Sequence, residues 1–325
     1  MKTWIDFDSA PVFTIPLIDP VGTVSVCEGM LIEGPQGWGE FAPPGGCDER
    51  QSARWLTAAI EAGIVGWPDP LRGRVQVAVT VPAVDPTRAR DIVAASGCHT
   101  ATVHVAEHPG TPADDLARLE AVRDALGPGG FVRCDANGNW DVDAAAAALP
   151  ALDRAAGGLE FVEQPCASVR EVSELRRRVD IPIALDQSIR DAPDPLMLPI
   201  AEAADIAVLT VAALGGARRA LRVAEGCDVP CVAAAERGSS VSIAGGLALA
   251  GVLPDAGFAH PVGGALLLAG DLVSDARSLI PVDGHLPVAP MPPGPDQARL
   301  ERFAATDPET VARWRRMLAA VQHYL

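Results

Sequence analysis

The chain has 325 residues, 49% hydrophobic and 21% charged, the composition of an ordinary folded protein and enough length for one large barrel plus a smaller layer. Its formal net charge is −16, with 42 acids against 26 bases, which makes nucleic acid and anionic membrane poor partners. Met1–Asp8 lacks an apolar signal core and no apolar stretch reaches membrane length, so no membrane contact and a cytoplasmic location are expected. Seven cysteines, an odd and scattered set, read as reduced small hydrophobes rather than a disulfide framework. Cys227 and Cys231 are four apart, but no second Cys/His pair stands nearby to complete a zinc site.

Residues 1–75 form the first expected unit. Pro11–Leu17 and Val24–Ile32 read as two strands. Gly34–Glu40 reads as a turn into a third, and Glu49–Gly63 carries a helical period through Ala53, Leu56, Ala59 and Ile60. From residue 76 to 285 the rhythm becomes strand, helix, strand. Strands are expected at 77–81, 101–106, 131–136, 159–163, 181–186, 206–211 and 231–235, with a weaker eighth at 258–262. Helices are expected at 113–126, where Thr111 caps and Pro112 opens the first turn, and at 141–156, 169–179, 217–226 and 239–253. Gly284–Gly294 reads as a connecting segment, and within 286–325 a terminal helix or two should pack on the barrel or the first unit. The expected class is α/β: a (β/α)8 TIM barrel with an N-terminal α+β capping domain.

Three carboxylates stand at the ends of consecutive expected strands: Asp135, Glu163 and Asp186, spaced 28 and 23 residues apart. A parallel barrel brings such residues together at its C-terminal rim, where hard oxygen ligands suit Mg²⁺, with Mn²⁺ as the alternative ion. Crowded acids without a cation would repel one another and raise their pKa values. The whole chain contains a single lysine, Lys2, so chemistry at this rim runs without a lysine base.

Asp135-Ala136-Asn137-Gly138, Glu163-Gln164-Pro165 and the Asp at the next strand end, behind a small α+β layer, resemble the enolase superfamily. The likeness is greatest to the actinobacterial o-succinylbenzoate synthases of its muconate-lactonising subgroup. Gly37-Trp38-Gly39-Glu40-Phe41, Thr80-Val81-Pro82-Ala83-Val84 and Leu214-Gly215-Gly216 extend the resemblance over residues 10–290. It implies that Asp135, Glu163 and Asp186 bind Mg²⁺, which holds a small-molecule carboxylate. The family's Lys-x-Lys pair falls on Thr102 and His104, and its strand-six lysine on Thr210. The Glu after the third ligand is Gln187. The arginine-bearing loop over the substrate corresponds to Ile18–Gly22, which holds no arginine. The strand-seven segment reads Ala234-Ala235-Glu236-Arg237-Gly238.

His104 is therefore the expected acid/base, and beside a divalent cation its neutral form should be favoured. Thr210 can orient a ligand or water, and Arg237 either anchors a second anionic group or pairs with Glu236. Thr102, Asn137, Gln187, Glu236 and His260 are expected around the substrate, His260 as the other histidine near the rim. Three readings stay open. One is a Mg²⁺-dependent lyase or isomerase using His104. Another is a metal-assisted cyclase without proton abstraction. The last is a non-catalytic binding protein on a retired scaffold. Efficient o-succinylbenzoate synthesis is not expected with the lysine positions changed, and assembly into a homo-oligomer stays open.

Overall fold

The structure, a computed structural model, describes residues 5–21, 24–107, 110–289 and 291–325. Three antiparallel strands come first in the order β1 (Val12–Val21), β2 (Val24–Gly34) and β3 (Gly37–Phe41). Helix α1 (Glu49–Ile60) follows, opened by a reciprocal capping box between Asp48 and Gln51. It lies so close to β3 that a Cβ on Gly39 would sit 2.1 Å from the Ala59 carbonyl oxygen, so only glycine fits there.

Then come β4 (Arg74–Gln76), β5 (Ala78–Val81), α2 (Pro86–Ser96), β6 (Thr100–His104), α3 (Pro112–Leu126), β7 (Phe131–Asp135), α4 (Val142–Ala156), β8 (Leu159–Glu163) and α5 (Val169–Arg176). The alternation continues through β9 (Ile183–Leu185), α6 (Gln187–Asp191), α7 (Ile200–Ala203), β10 (Ile206–Thr210), α8 (Val211–Leu214), α9 (Ala217–Gly226), β11 (Cys231–Ala234) and α10 (Ser240–Val252). Strands β5 to β11 form one parallel sheet in sequence order, the arrangement of a barrel wall. Helix α3 starts at Pro112 behind Thr111, and α4 behind Asp141, because both caps satisfy free N–H groups of the first turn.

The expected eighth strand is not a ladder. Val77 makes a single parallel bridge to His260, the Ala78 amide donates to His260 O and the His260 amide to Gln76 O, both at 2.9 Å, and the Ala235 amide donates to Pro261 O at 3.2 Å. Pro261 has no N–H to give, so residues 258–262 close the ring as an extended segment only. The expected connecting segment also differs: β12 (His285–Pro287) pairs antiparallel with β4.

The core has two main parts. Outward residues of the wall, such as Val103, Val132, Cys134 and Val162, pack against the surrounding helices. A second cluster joins Met30, Ile32, Phe41, Trp55 and Leu56 to Trp314, Leu318 and Val321 of the last helix, with α11 (Gln297–Phe303) leading into α12 (Pro308–Val321). The cap docks through buried polar groups. Glu61 accepts from the amides of Ala217 at 2.5 Å and Arg218 at 3.1 Å, capping α9 across the two layers. Glu40 bonds Ser239, the cap residue of α10, and Arg54 donates to the carbonyls of Arg190, Ala192 and Pro193. No described helix is long and apolar enough to cross a membrane.

Candidate functional site

Strand register builds the site. Asp135 and Glu163 are paired across β7 and β8, and Glu163 pairs with Ala184, two residues before Asp186. Period-two alternation then points all three carboxylates to the interior at the C-terminal rim. Gln164, fully buried, fixes the third: its Oε1 accepts from the amides of Asp186 at 3.1 Å and Ser188 at 3.0 Å. One layer lower on β7, Arg133 lies under Glu163. Its guanidinium packs 4.4 Å from the Phe161 ring centre, binds Glu160 at 2.5 Å and donates to Ala259 O at 2.8 Å. Phe161, Val208, Val232 and Phe258 fill the rest of that inner layer.

Burial raises the pKa of all three carboxyls. Glu163 is pushed further by the charges of Asp135 and Asp186, and Asp186 reaches about 7 despite Arg190. Each is at most 7% exposed. A bound divalent cation would relieve this desolvation and repulsion, and an all-carboxylate donor set suits Mg²⁺. The site fits the ion by residue type and placement. It is not preassembled: among the described residues, no three Asp, Glu, His or Cys side chains converge as a metal cage. Mutual repulsion is sufficient reason for the open arrangement.

The carboxylates open into a cavity of about 490 Å³, also lined by Thr102, His104, Glu107, Asn137, Gln187, Arg190, Thr210, Glu236 and Arg237, and covered from the cap by Pro44–Cys47 and Gln51. His104 sits opposite Asp135 in the β6–β7 register, with Thr102 opposite Arg133, so both point inward as strand alternation requires. His104 Nδ1 lies 2.9 Å from Glu107 Oε1, and Nε2 lies 3.9 Å from Asp135 Oδ2. Burial opposes the imidazolium, but the Glu107 hydrogen bond and the charges of Asp135 and Glu107 outweigh it and raise the pKa. The neutral bias expected of His104 beside a divalent cation is thus opposed by these side chains.

Thr210 donates to Asp186 Oδ1 at 3.2 Å, so its hydroxyl is committed to the third carboxylate. Gln187 Nε2 donates to Asn137 Oδ1 at 2.7 Å, while Gln187 Oε1 and Thr102 Oγ1 have no partner among the described residues. Glu236 pairs with Arg190 at 2.9 Å and not with Arg237; among the described residues, Arg237 makes no ion pair. His260 is not on the cavity wall. Its Nδ1 accepts from the Ala233 amide at 3.1 Å, and burial with nearby Arg133 drops its pKa to about 4, so it is a neutral structural ring. Asp19, in the segment that corresponds to the family's substrate-covering loop, pairs with Arg88 at 2.9 Å; Gly22 and His108 lie outside the described residues. Glu107, Arg190, Arg133 and Gln164 escaped the sequence reading. Only Glu107 left a signal, the His-x-x-Glu spacing after β6, and it becomes a contact because Ala106 turns the chain back at φ 59°.

Comparison with known proteins agrees with this architecture. Residues 86–295 match the family described as "Enolase C-terminal domain-like", and residues 12–63 match "Enolase N-terminal domain-like". The o-succinylbenzoate synthase of Thermobifida fusca (strain YX) is 52% identical over 276 residues, 85% of this chain and 86% of that protein. That of Mycolicibacterium smegmatis is 46% identical over 88% of this chain and 86% of the relative. Among solved structures, the muconate lactonizing enzyme of Pseudomonas fluorescens complexed with muconolactone superposes with a TM-score of 0.77 at 20% identity, covering 94% of this chain and all of that one. The L-Ala-D/L-Glu epimerase of Bacillus subtilis gives 0.73 at 20% identity, covering 91% and 98%. The chain belongs to the enolase superfamily, close to the o-succinylbenzoate synthases, and is an enzyme of its lyase and isomerase class.

The raised carboxyls carry a stability signature. An Asp186 carboxyl ionises near 3.8 when free and near 7 when folded, so between those values the folded chain holds a proton that the unfolded chain has lost. Its stabilising effect is complete below the lower value and is lost as pH rises through the upper one; Glu163, Asp135 and His104 shift the same way. Urea denaturation without divalent cations should show stability falling by a few kcal/mol between about pH 5 and about pH 8, less steeply in Asp186→Asn. Stability that rises over this range would contradict the assignment.

Proposed function

We propose that the chain is a Mg²⁺-dependent lyase or isomerase acting on a small carboxylate, with His104, oriented by Glu107, as its acid/base. The observation that carries this reading is the placement of His104: Nδ1 on Glu107, Nε2 facing the carboxylate rim, on the strand the superfamily resemblance assigns to the base. Asp135, Glu163 and Asp186 would hold the ion, which supplies Lewis-acid polarisation of a substrate carboxylate. Mn²⁺ would suit the same donors.

With Nδ1–H given to Glu107, the Nε2 lone pair is free to accept a proton from the carbon next to the substrate carboxylate. Glu107 then stabilises the imidazolium, which can return the proton from Nε2. A base whose pKa lies near the working pH is efficient, and such proton transfer contributes roughly 10²–10⁴-fold. Thr210 holds Asp186 in place, and Gln187 with Asn137 presents a neutral wall where the resemblance implies an acid. Arg237 can bind a further anionic group on the ligand.

Exchange of solvent deuterium into a panel of small carboxylates with Mg²⁺, read by NMR, tests the base. His104→Asn should reduce exchange at least about 100-fold and Glu107→Gln by about tenfold. Unchanged exchange in His104→Asn would place the base elsewhere. Because the resemblance implies lysines where this chain has Thr102, His104 and Thr210, formation of o-succinylbenzoate should stay far below the typical enzyme median of roughly 10 s⁻¹. Turnover within about tenfold of that value would overturn this expectation.

A further inference from the structure

A second chemically unusual feature lies at the opposite end of the barrel from the carboxylates. Cys227 caps the C-terminus of α9 and Cys231 begins β11, joined by Asp228-Val229-Pro230. Asp228 takes a left-handed conformation with φ 51°, and Pro230 fixes its own backbone angle, so the turn doubles back tightly. The two Sγ atoms come to 3.2 Å. A disulfide is about 2.05 Å long, so roughly 1 Å of approach separates this contact from a bond.

We infer that Cys227 and Cys231 form a reversible dithiol–disulfide site that reacts with small disulfides such as glutathione disulfide. Cys227 is the attacking sulfur. The hydrogen bond from Cys231 pushes its thiol down to about 7, whereas burial pushes the thiols of Cys27, Cys47, Cys98, Cys134 and Cys166 up. None of those five has a second sulfur within hydrogen-bond range among the described residues. Both sulfurs are buried, but Gly226, Asp228 and Pro230 around them are exposed, so opening of one surface turn admits the reagent.

The exchange balances in two steps. The Cys227 thiolate attacks one sulfur of the small disulfide, forming a mixed disulfide and releasing one small thiol. The Cys231 sulfur then attacks the Cys227 sulfur and releases the second. The protein loses two electrons and two protons, and the small disulfide gains both to become two thiols. The product ties the end of α9 to the first residue of β11.

The sequence makes the test direct, because trypsin cuts after Arg222 and Arg237 and leaves both cysteines in one peptide, Val223–Arg237. The folded full-length chain is incubated with glutathione disulfide, quenched with acid, digested and weighed. The expected product is that peptide lighter by two hydrogens, without attached glutathione, restored by a reductant. Cys231→Ser should trap glutathione on Cys227, and Cys227→Ser should slow modification of the peptide by about tenfold or more. The inference is overturned if wild-type protein takes up glutathione at Cys47 while Val223–Arg237 keeps both thiols. It is equally overturned if glutathione stays on that peptide undisplaced. These wild-type outcomes decide the matter even where a serine variant folds poorly.

Discussion

Three carboxylates buried out of water at one rim are the constraint on which the rest of the rim depends. Burial raises all three pKa values, and like charge adds to the effect at Glu163 and Asp186. The chain meets this cost with positions rather than with neutralising partners. Asp135 and Glu163 are fixed by strand register, and Asp186 by Gln164 and Thr210. The nearest permanent cations stand off. Arg190 is 4.0 Å from Asp186 and spends its closer contact on Glu236, while Arg133 is held beneath by Glu160 and Phe161. A rim built this way stays short of positive charge in its centre, the electrostatic condition for taking a divalent cation.

The charges around the rim differ as a group from those the superfamily resemblance implies. Where the superfamily resemblance implies lysines, the chain places Thr102, His104 and Thr210; where it implies an acid, it places Gln187. The imidazole at the end of β6 is held by Glu107 from the following turn. Glu236 and Arg190 then close a new ion pair at the cavity edge, leaving Arg237 to face the cavity. The cap is tied to the same machinery, since Arg54 of α1 binds the carbonyl of Arg190 and Gln51 donates to Asp191. Movement of the cap would thus be felt directly at the residues that follow Asp186.

Much of this was legible in the chain. Short apolar runs located β6 to β11, and the Thr111-Pro112 cap set a helix start, because local patterning and local hydrogen bonds agree with the fold there. Alternation put Thr102 and His104 on one face, and the family register made that face the interior, as the pairing of His104 with Asp135 bears out. Helix α2 was missed although Asp85, Pro86 and a left-handed Gly97 frame it, since its apolar period is weak. The closing segment at 258–262 deceived because its apolar residues suit a strand while Pro261 denies it a ladder. Contacts across the barrel were beyond sequence reading: Arg190 with Glu236, and His260 with the Ala233 amide, join residues 46 and 27 positions apart. The Glu107 contact is local, yet it hinges on one positive φ at Ala106, which alanine does not advertise.

The central claim is that the buried carboxylates form one divalent-cation site. Its most direct test is titration of the purified chain with Mn²⁺, followed by the relaxation of water protons around the paramagnetic ion. The account predicts one tight ion per chain, displaced by Mg²⁺ and weakened at least about tenfold by Asp186→Asn. Equal Mn²⁺ binding by wild type and Asp186→Asn would contradict it.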